Sequence, residues 1–283
     1  MIDLTPYLEL KPAPRAVFDS LAERSTRPRF LLPTANGDWS VVTWGAFAKQ
    51  IRCAALFLDA CGFRAGDRGA IFAANRVEWI SSALAIQSAG GVMVPVYPSS
   101  TAEQAAYVIR HSDARVLFVD GAGLLAKVFD SWKELSRVER VVLLDSSLDA
   151  GKVLEEMRAK GREVPAAAEV ERKVVGWEHA MATGAARDAE AEAETRFGDL
   201  LTAMSLDQPG VMLYTSGTSG NPKGVPLTHR NVAVNGRDWL TCNAPMLDEG
   251  MVDLLWLPMS HIFGFGEACL GNALGWTTYL CDP

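Results

Sequence analysis

The chain has 283 residues, 49% of them apolar and 22% charged, with a net charge of −7. This is ordinary globular usage with enough apolar material for a sizeable core, which excludes a wholly disordered chain. The acidic balance excludes non-specific nucleic-acid binding, which needs clustered cations, but still allows a local anion site built from amides and one lysine.

The N-terminus, MIDLTPYLELKPAPR, carries Asp3 early and lacks the basic-then-apolar pattern of a signal peptide. The most apolar stretch, Ile80 to Val96, is broken by Ser81, Ser82, Gln87, Ser88 and paired glycines, short of the ~18 continuous apolar residues of a membrane span. A cytoplasmic location with no transmembrane segment is expected, with peripheral membrane contact left open. Cys53, Cys61, Cys242, Cys269 and Cys281 are odd in number and contain no CxxC pair. Free thiols are therefore expected, not a disulfide framework or a zinc site.

In chain order, Thr43 can cap a helix whose apolar face is Trp44, Phe47, Ile51, Ala54 and Leu58, with Gly62 as its stop. Gly66-Asp67 reads as a turn and Gly69 to Ala73 as a strand. Asn75 can cap a second helix to about Ala89, and Gly91 to Val96 is the next strand. After a turn at Pro98-Ser99-Ser100, Ser100 and Glu103 have capping-box spacing for a helix through about His111. Arg115 to Val119 and Val141 to Leu144 read as further strands. Short apolar strands separated by helices predict a three-layer α/β fold, its mostly parallel sheet flanked by helices.

From about Asp145 to Thr202 the composition shifts to Ala, Glu, Lys and Arg. Ala185 to Thr195, AARDAEAEAET, has almost no large apolar residue and is expected to be exposed. Order returns with a strand at Val211 to Tyr214, a Gly/Ser/Thr loop, and a helix from His229 capped by Thr228. Met251 to Leu257 reads as a strand, Ile262 to Leu274 as a helix and Trp276 to Cys281 as a last strand. Trp239, Trp256 and Trp276 are core candidates, and the scattered arginines are expected on the surface. The chain divides into 1–144, a first α/β part; 145–202, a charged insertion; and 203–283, the Gly/Ser/Thr loop with the helices and strands around it. Ending just after a strand suggests a fragment.

The stretch from Tyr214, YTSGTSGNPKGVPLTHRN, places Thr215, Ser216, Thr218 and Ser219, the glycines Gly217, Gly220 and Gly224, and Lys223 close together. Glycines let backbone amides approach a ligand, hydroxyls add donors for phosphate oxygens, and lysine adds a point charge. The loop follows a strand and is expected to precede a helix, the usual setting of a phosphate loop. It is neither GxxxxGK followed by Ser or Thr, nor GxGxxG. Its many unsatisfied groups predict poor order from Thr215 to Pro222 without nucleotide.

This stretch resembles the phosphate-loop signature of the adenylate-forming superfamily, Tyr-Thr-Ser-Gly-Thr-Thr-Gly-x-Pro-Lys-Gly-Val, departing only at Ser219. That superfamily includes acyl-CoA synthetases, peptide-synthetase adenylation domains and firefly luciferase. LWLPMSHIFGFGEA, Leu255 to Ala268, resembles the family's next block, which contributes the acyl-substrate wall. The segment Ala85 to Asp120, with YPSSTAEQ, is most similar to the long-chain fatty acyl-CoA synthetases.

The resemblance implies ATP-dependent activation of a long-chain fatty acid, first to an acyl-adenylate and then to a thioester with coenzyme A, with Mg2+ on the phosphates. It implies that Thr215, Ser216, Gly217, Thr218, Ser219 and Gly220 wrap the β- and γ-phosphates. Lys223 would anchor the loop and the Thr215 hydroxyl would meet the metal. His261 would stand beside the carboxylate and the α-phosphate, and Phe265 falls where some members place a gating aromatic. The family's Gly-x-Thr-Glu block, ribose-binding Asp and C-terminal-domain lysine have no counterpart in these 283 residues, so the chain alone is expected to be inactive. The alternatives are an acyl-AMP ligase, a peptide-synthetase adenylation domain and, in another class, a non-catalytic binding module. Ile262 to Gly266 offers no Asp for an amino group, which favours a fatty acid over an amino acid.

Overall fold

A computed structural model describes residues 3–190, 193–215, 221–248 and 250–281. Near the N-terminus, helices α1 (Ala13–Phe18) and α2 (Leu21–Arg24) precede strands β1 (Pro28–Pro33) and β2 (Trp39–Thr43). Helix α3 (Trp44–Ala60), strand β3 (Arg68–Phe72), helix α4 (Val77–Ser88) and strand β4 (Val92–Val96) follow. Next come α5 (Ala102–His111), β5 (Ala114–Val119), α6 (Gly121–Asp130), β6 (Arg140–Leu143), α7 (Ala150–Ala159), α8 (Ala167–Lys173) and β7 (Val174–Gly176). The chain continues with α9 (Trp177–Asp188), α10 (Ala193–Ala203), β8 (Pro209–Thr215), β9 (Lys223–Thr228), α11 (His229–Asn243), β10 (Val252–Leu255), α12 (Ile262–Leu274) and β11 (Thr277–Leu280).

The strands form two sheets. The larger has the order β7-β6-β5-β3-β4-β8-β9 and is parallel except for β9. Both of its faces are covered, as expected from strands separated by helices. Val116, Phe118 and Val142 point to the side of α3 and α4, while Leu117, Val119 and Val141 point to the side of α5, α6 and α7. The smaller sheet, β10-β11-β1-β2, adds a layer beyond the inner helices. Helix α4 is buried on nearly every side, as an apolar helix between layers must be.

Local signals placed α3 correctly. The Thr43 side chain accepts from the Ala46 N–H, the five predicted apolar positions are buried, and Gly62 takes the left-handed conformation that ends the helix. The α5 cap is one residue off: Thr101 and Gln104 form the capping box, in place of Ser100 and Glu103. Asn75 does not cap α4; Arg76 holds that position without a side-chain bond. Two tryptophans expected in the core, Trp239 and Trp256, are exposed, whereas Trp276 is buried.

Strands β1 and β2 have no counterpart among the elements expected from sequence, and neither does the burial of Arg29. Its Nε donates to Asn272 Oδ1 at 2.8 Å, Nη1 to Thr278 Oγ1 at 2.6 Å and Nη2 to the Ala268 carbonyl at 3.1 Å. The guanidinium also lies 5.1 Å from the Trp44 ring centroid. Burial pulls its pKa down to about 9, which still leaves it charged at neutral pH. A buried cation is tolerated where its donors are satisfied, and here neutral oxygens do most of it.

The charged stretch 145–202 is not a separate excursion. Strand β7 joins the large sheet, and Trp177, Ala180 and Phe197 enter the main core. Helix α9 lies on α3, with Arg52 bonded to Asp188 at 2.6 Å. Within Ala185 to Thr195, Ala186 is exposed as expected, whereas Ala185, Arg187 and Asp188 are only partly so. Gly184 makes this docking feasible: a Cβ there would sit 1.9 Å from the Cys53 carbonyl oxygen. Because the obstacle is backbone, Gly184→Ala must push α9 away from α3. It should cost about 2–3 kcal/mol, seen as a fall of about 5–10 °C in Tm. Ala182→Ser, on the exposed side of the same helix, should stay within about 0.5 kcal/mol.

Candidate functional site

The Gly/Ser/Thr loop does not lead into a helix. It joins β8 to β9 as a hairpin, with Thr215 paired to Lys223 at its mouth and Tyr214 paired to Gly224 beneath. The helix begins only at His229, capped by Thr228 and Asn231. Any anion-binding role of the loop therefore rests on its own amides and hydroxyls and on Lys223, without a helix dipole. Thr215 and Lys223 are exposed. Ser216, Gly217, Thr218, Ser219 and Gly220 lie outside the described residues, and with them most of the stretch expected to be poorly ordered.

The base of the hairpin is fixed to the core. Gln87 Nε2 on α4 donates to the Gly210 carbonyl at 3.1 Å. The His229 ring lies flat against Gly210, where a Cβ would come within 2.4 Å of its Cε1. Burial pushes His229 down to about 4, so it is neutral at physiological pH. Pro95 has no N–H to give, and β4 pairs with β8 at Met93 and Val211. On its opposite edge β8 pairs with β9 along its whole length, from Pro209–Thr228 to Thr215–Lys223.

Thr215 ends β8 on the carboxyl edge of the parallel sheet, the edge where ligands gather in open α/β folds. Asn75 leaves β3 on the same edge and reaches the other sheet. Its Nδ2 donates to the Leu257 carbonyl at 2.9 Å and to the Cys281 carbonyl at 3.5 Å, and its Oδ1 accepts from the Met259 N–H at 2.9 Å. Leu257 and Cys281 lie just past the carboxyl ends of β10 and β11. The segment carrying His261 is therefore pinned to the edge that carries Thr215.

His261 is the N-cap of α12. Its Nδ1 accepts from the Phe263 N–H at 3.2 Å, and its ring stacks on Phe263 at 5.5 Å. With Nδ1 an acceptor, the neutral ring carries its proton on Nε2, and the exposed imidazole can donate to an anion. Phe265 is elsewhere. It is 1% exposed and packs 6.2 Å from Trp79 in the core, whereas Phe263 is 69% exposed. Two residues along a helix is about 200° of rotation, so the two rings take opposite faces. Phe265 is therefore a core aromatic, and the ring at the opening is Phe263.

Ile262, Phe263, Gly266 and Leu270 of α12 form one wall of a cavity of about 860 Å³; Gly236 and Trp239 of α11 form another. The cavity follows α12 from Ile262 to Ala273, about 16 Å at the helical rise. Asp253 and Glu267 also line it. One oxygen of each is sealed from solvent with no donor among the described residues. Burial, then the adjoining Asp253, pushes Glu267 up to about 7. That raised value favours the protonated form of Glu267 in this wall.

The AMP-binding enzyme family matches residues 18–283. The chain belongs to this family. Long-chain-fatty-acid–CoA ligase FadD15 of Mycobacterium bovis is 33% identical over 227 residues, 80% of this chain and 33% of that protein. FadD15 of Mycobacterium tuberculosis matches at the same identity and coverage. Human long-chain-fatty-acid–CoA ligase ACSBG2 is 26% identical over 82% of this chain and 31% of its own length. This AMP-binding chain thus spans about a third of the length of these curated relatives. Solved structures share its fold. The N-terminal domain of FACL13 from Mycobacterium tuberculosis superposes with a TM-score of 0.61 at 18% identity, covering 96% of this chain and 57% of that one. Acetoacetyl-CoA synthetase from Streptomyces lividans gives 0.71 at 21% identity, covering 96% of this chain and 38% of its own.

Sequence reasoning missed Asn75, Phe263 and the Asp253–Glu267 pair at the site of this AMP-binding chain. Their roles come from contacts across the fold, and no local spacing carries them. The carboxyl pair has a measurable signature. A carboxyl whose folded pKa lies above its ordinary 4.5 stabilises the fold below that value and loses this contribution as pH rises through about 7. The unfolding free energy of the wild type from urea titrations should fall across that window by about 1 kcal/mol, after allowing for the half-exposed position of Glu267. Glu267→Gln should remove most of that slope; an unchanged slope would mean that Glu267 is not the group responsible.

Proposed function

We propose that this chain carries the nucleotide- and acyl-binding half of a long-chain fatty acid–CoA ligase. The observation that carries the reading is the hairpin mouth. A hydroxyl and an ammonium, Thr215 and Lys223, face each other at the carboxyl edge of a parallel sheet, bracketing a loop of glycines and hydroxyls. That loop sits in a chain 33% identical to long-chain-fatty-acid–CoA ligases.

In this reading a fatty-acid carboxylate oxygen attacks the α-phosphorus of ATP. The bond from that phosphorus to the bridging oxygen breaks, and pyrophosphate leaves. Two anions must approach, so charge neutralisation and alignment dominate the barrier. The loop, Thr215 to Gly220, wraps the β- and γ-phosphates, and Lys223 sets a positive charge at its mouth. His261 offers its Nε2–H to the carboxylate and the α-phosphate. The acyl chain lies in the cavity along α12, with Phe263 at its opening.

Mg2+ is held by oxygen donors, and the substrate's own phosphates supply several of them. Among the described residues no cluster of three His, Cys, Asp or Glu stands ready for a metal. The exposed Thr215 hydroxyl is the donor this chain contributes, which fits a metal carried in with the nucleotide. When bound, it neutralises phosphate charge. In the second half the coenzyme A sulfur attacks the acyl carbonyl, the thiol proton is lost and AMP leaves.

No described helix is long and apolar enough to cross a membrane.

The test is ATP–pyrophosphate exchange by the complete gene product across a panel of fatty acids. Exchange should depend on a long-chain acid. Lys223→Ala, Thr215→Ala and His261→Ala should each lower it by about two to three orders of magnitude, the usual cost of one transition-state donor. The 283 residues alone should give none, because the family's Gly-x-Thr-Glu block, ribose Asp and C-terminal lysine lie outside them. Exchange without thioester formation would instead identify an acyl-AMP ligase. Exchange driven by amino acids would identify a peptide-synthetase adenylation domain. No exchange and no MgATP binding by the complete product would favour a non-catalytic binding module.

A further inference from the structure

Tyr214 stands immediately before Thr215, with Gly224 opposite it in the hairpin. Its ring lies over that glycine: a Cβ at Gly224 would come within 3.1 Å of Tyr214 Cζ and 3.2 Å of its Oη. The hydroxyl reaches His111 Nδ1 at 2.8 Å, at the end of α5. His111 in turn stacks on Tyr107, one turn earlier on the same helix, with centroids 5.2 Å apart and planes at 24°. Tyr107 also meets the Tyr214 ring edge-on at 6.4 Å. Three aromatic side chains thus bridge the stem of the hairpin to a helix of the outer layer.

Strand β9 is the outermost strand of the large sheet, so β8 is its only sheet neighbour among the described residues. Backbone pairing alone leaves such a stem free to twist and splay. We propose that Tyr214 is a positioning residue for the phosphate loop. Its ring presses the stem flat across Gly224, and its hydroxyl ties the stem to His111, fixing the orientation in which Thr215 and Lys223 face a nucleotide. Burial pushes the phenol up to about 12, so it stays a neutral hydroxyl that can bond to Nδ1. A Cβ at Gly224 would force the ring to give by a few tenths of an ångström. Donors act on a phosphoryl group only if they are aligned before it arrives, so a clamp on the stem acts on nucleotide affinity and not on the acyl end.

The inference rests on reading residues 215–220 as a phosphate loop, and its test separates the two. The first measurement is amide hydrogen exchange on the 283-residue chain without ligand. Tyr214→Phe, which keeps the ring and loses the bond to His111, should speed exchange at residues 212–215 and 223–225 by about fivefold, the effect of one hydrogen bond. Exchange in β3 and β5 should not change. His111→Phe should match it, and the double variant should be no faster than either. Gly224→Ala should reproduce the effect from the other side. Equal exchange in the wild type and Tyr214→Phe overturns the proposal whatever the chemistry of the loop.

The second measurement uses the complete gene product in ATP–pyrophosphate exchange. Tyr214→Phe should raise KM for ATP by about fivefold, with kcat and KM for the fatty acid within about twofold. Equal rises in both KM values would mark general loosening and overturn the positioning role. If the wild type shows no exchange activity, the ligase reading falls, while hydrogen exchange still decides the clamp.

Discussion

The side-chain amide of Asn75 commits both its ends to backbone: Nδ2 to the Leu257 and Cys281 carbonyls, Oδ1 to the Met259 N–H. These bonds join the carboxyl edge of one sheet to that of the other, across the layer of helices that separates them. Everything that makes a site here depends on that registration. Thr215 and Lys223 belong to the large sheet, and His261 follows β10 of the small one. In the function proposed above, a phosphate at the hairpin and a carboxylate near α12 would have no defined geometry for reaction without a fixed relation between the two edges. Hydrogen bonds to backbone also leave little rotational freedom, because all three partners are immobile.

Between the sheets, packing supplies the stiffness that the edges need. Helix α4 is buried almost completely, and α3 presents a broad apolar face from Trp44 to Leu58. Trp79 of α4 touches Phe265 of α12, so the inner helices and the helix beside the cavity share one core. Burial of this kind is worth about 1.5–3 kcal/mol per large side chain. The cavity wall therefore has a rigid back and an adaptable front, where Phe263 stands out into solvent.

Features decided by neighbouring residues were legible in the sequence. Thr43 and Gly62 announced the ends of α3 by cap chemistry, and the alternation of short apolar runs with helices announced a covered parallel sheet. The family was legible in the Gly/Ser/Thr stretch from Tyr214, because its run of glycines, hydroxyls and one lysine is unusual in a chain segment without a ligand. Other features depended on distant partners. Nothing in PRFLLP marks β1 as central to a sheet, since its neighbours are β2 and β11, the latter about 250 residues away. Asn75 looked like a helix cap because asparagine favours caps, and a tertiary contact overrode that preference. Composition made the 145–202 stretch look solvated, yet Arg52 pairs with Asp188 and Arg196 with Asp59, so part of its charge anchors it to α3. Phe265 and Phe263 are two residues apart, and only helix phase distinguishes core from opening.

The buried guanidinium of Arg29 has a consequence for how the chain comes to be folded. Its acceptors, at Ala268, Asn272 and Thr278, lie some 240 to 250 positions further on. During synthesis β1 leaves the ribosome early, with a cation that cannot be desolvated until those oxygens arrive. The large parallel sheet up to β7 uses only nearer partners and can assemble meanwhile. The small sheet is thus completed late, and until then its first strand stays exposed with a charge on it, which discourages premature pairing with other chains.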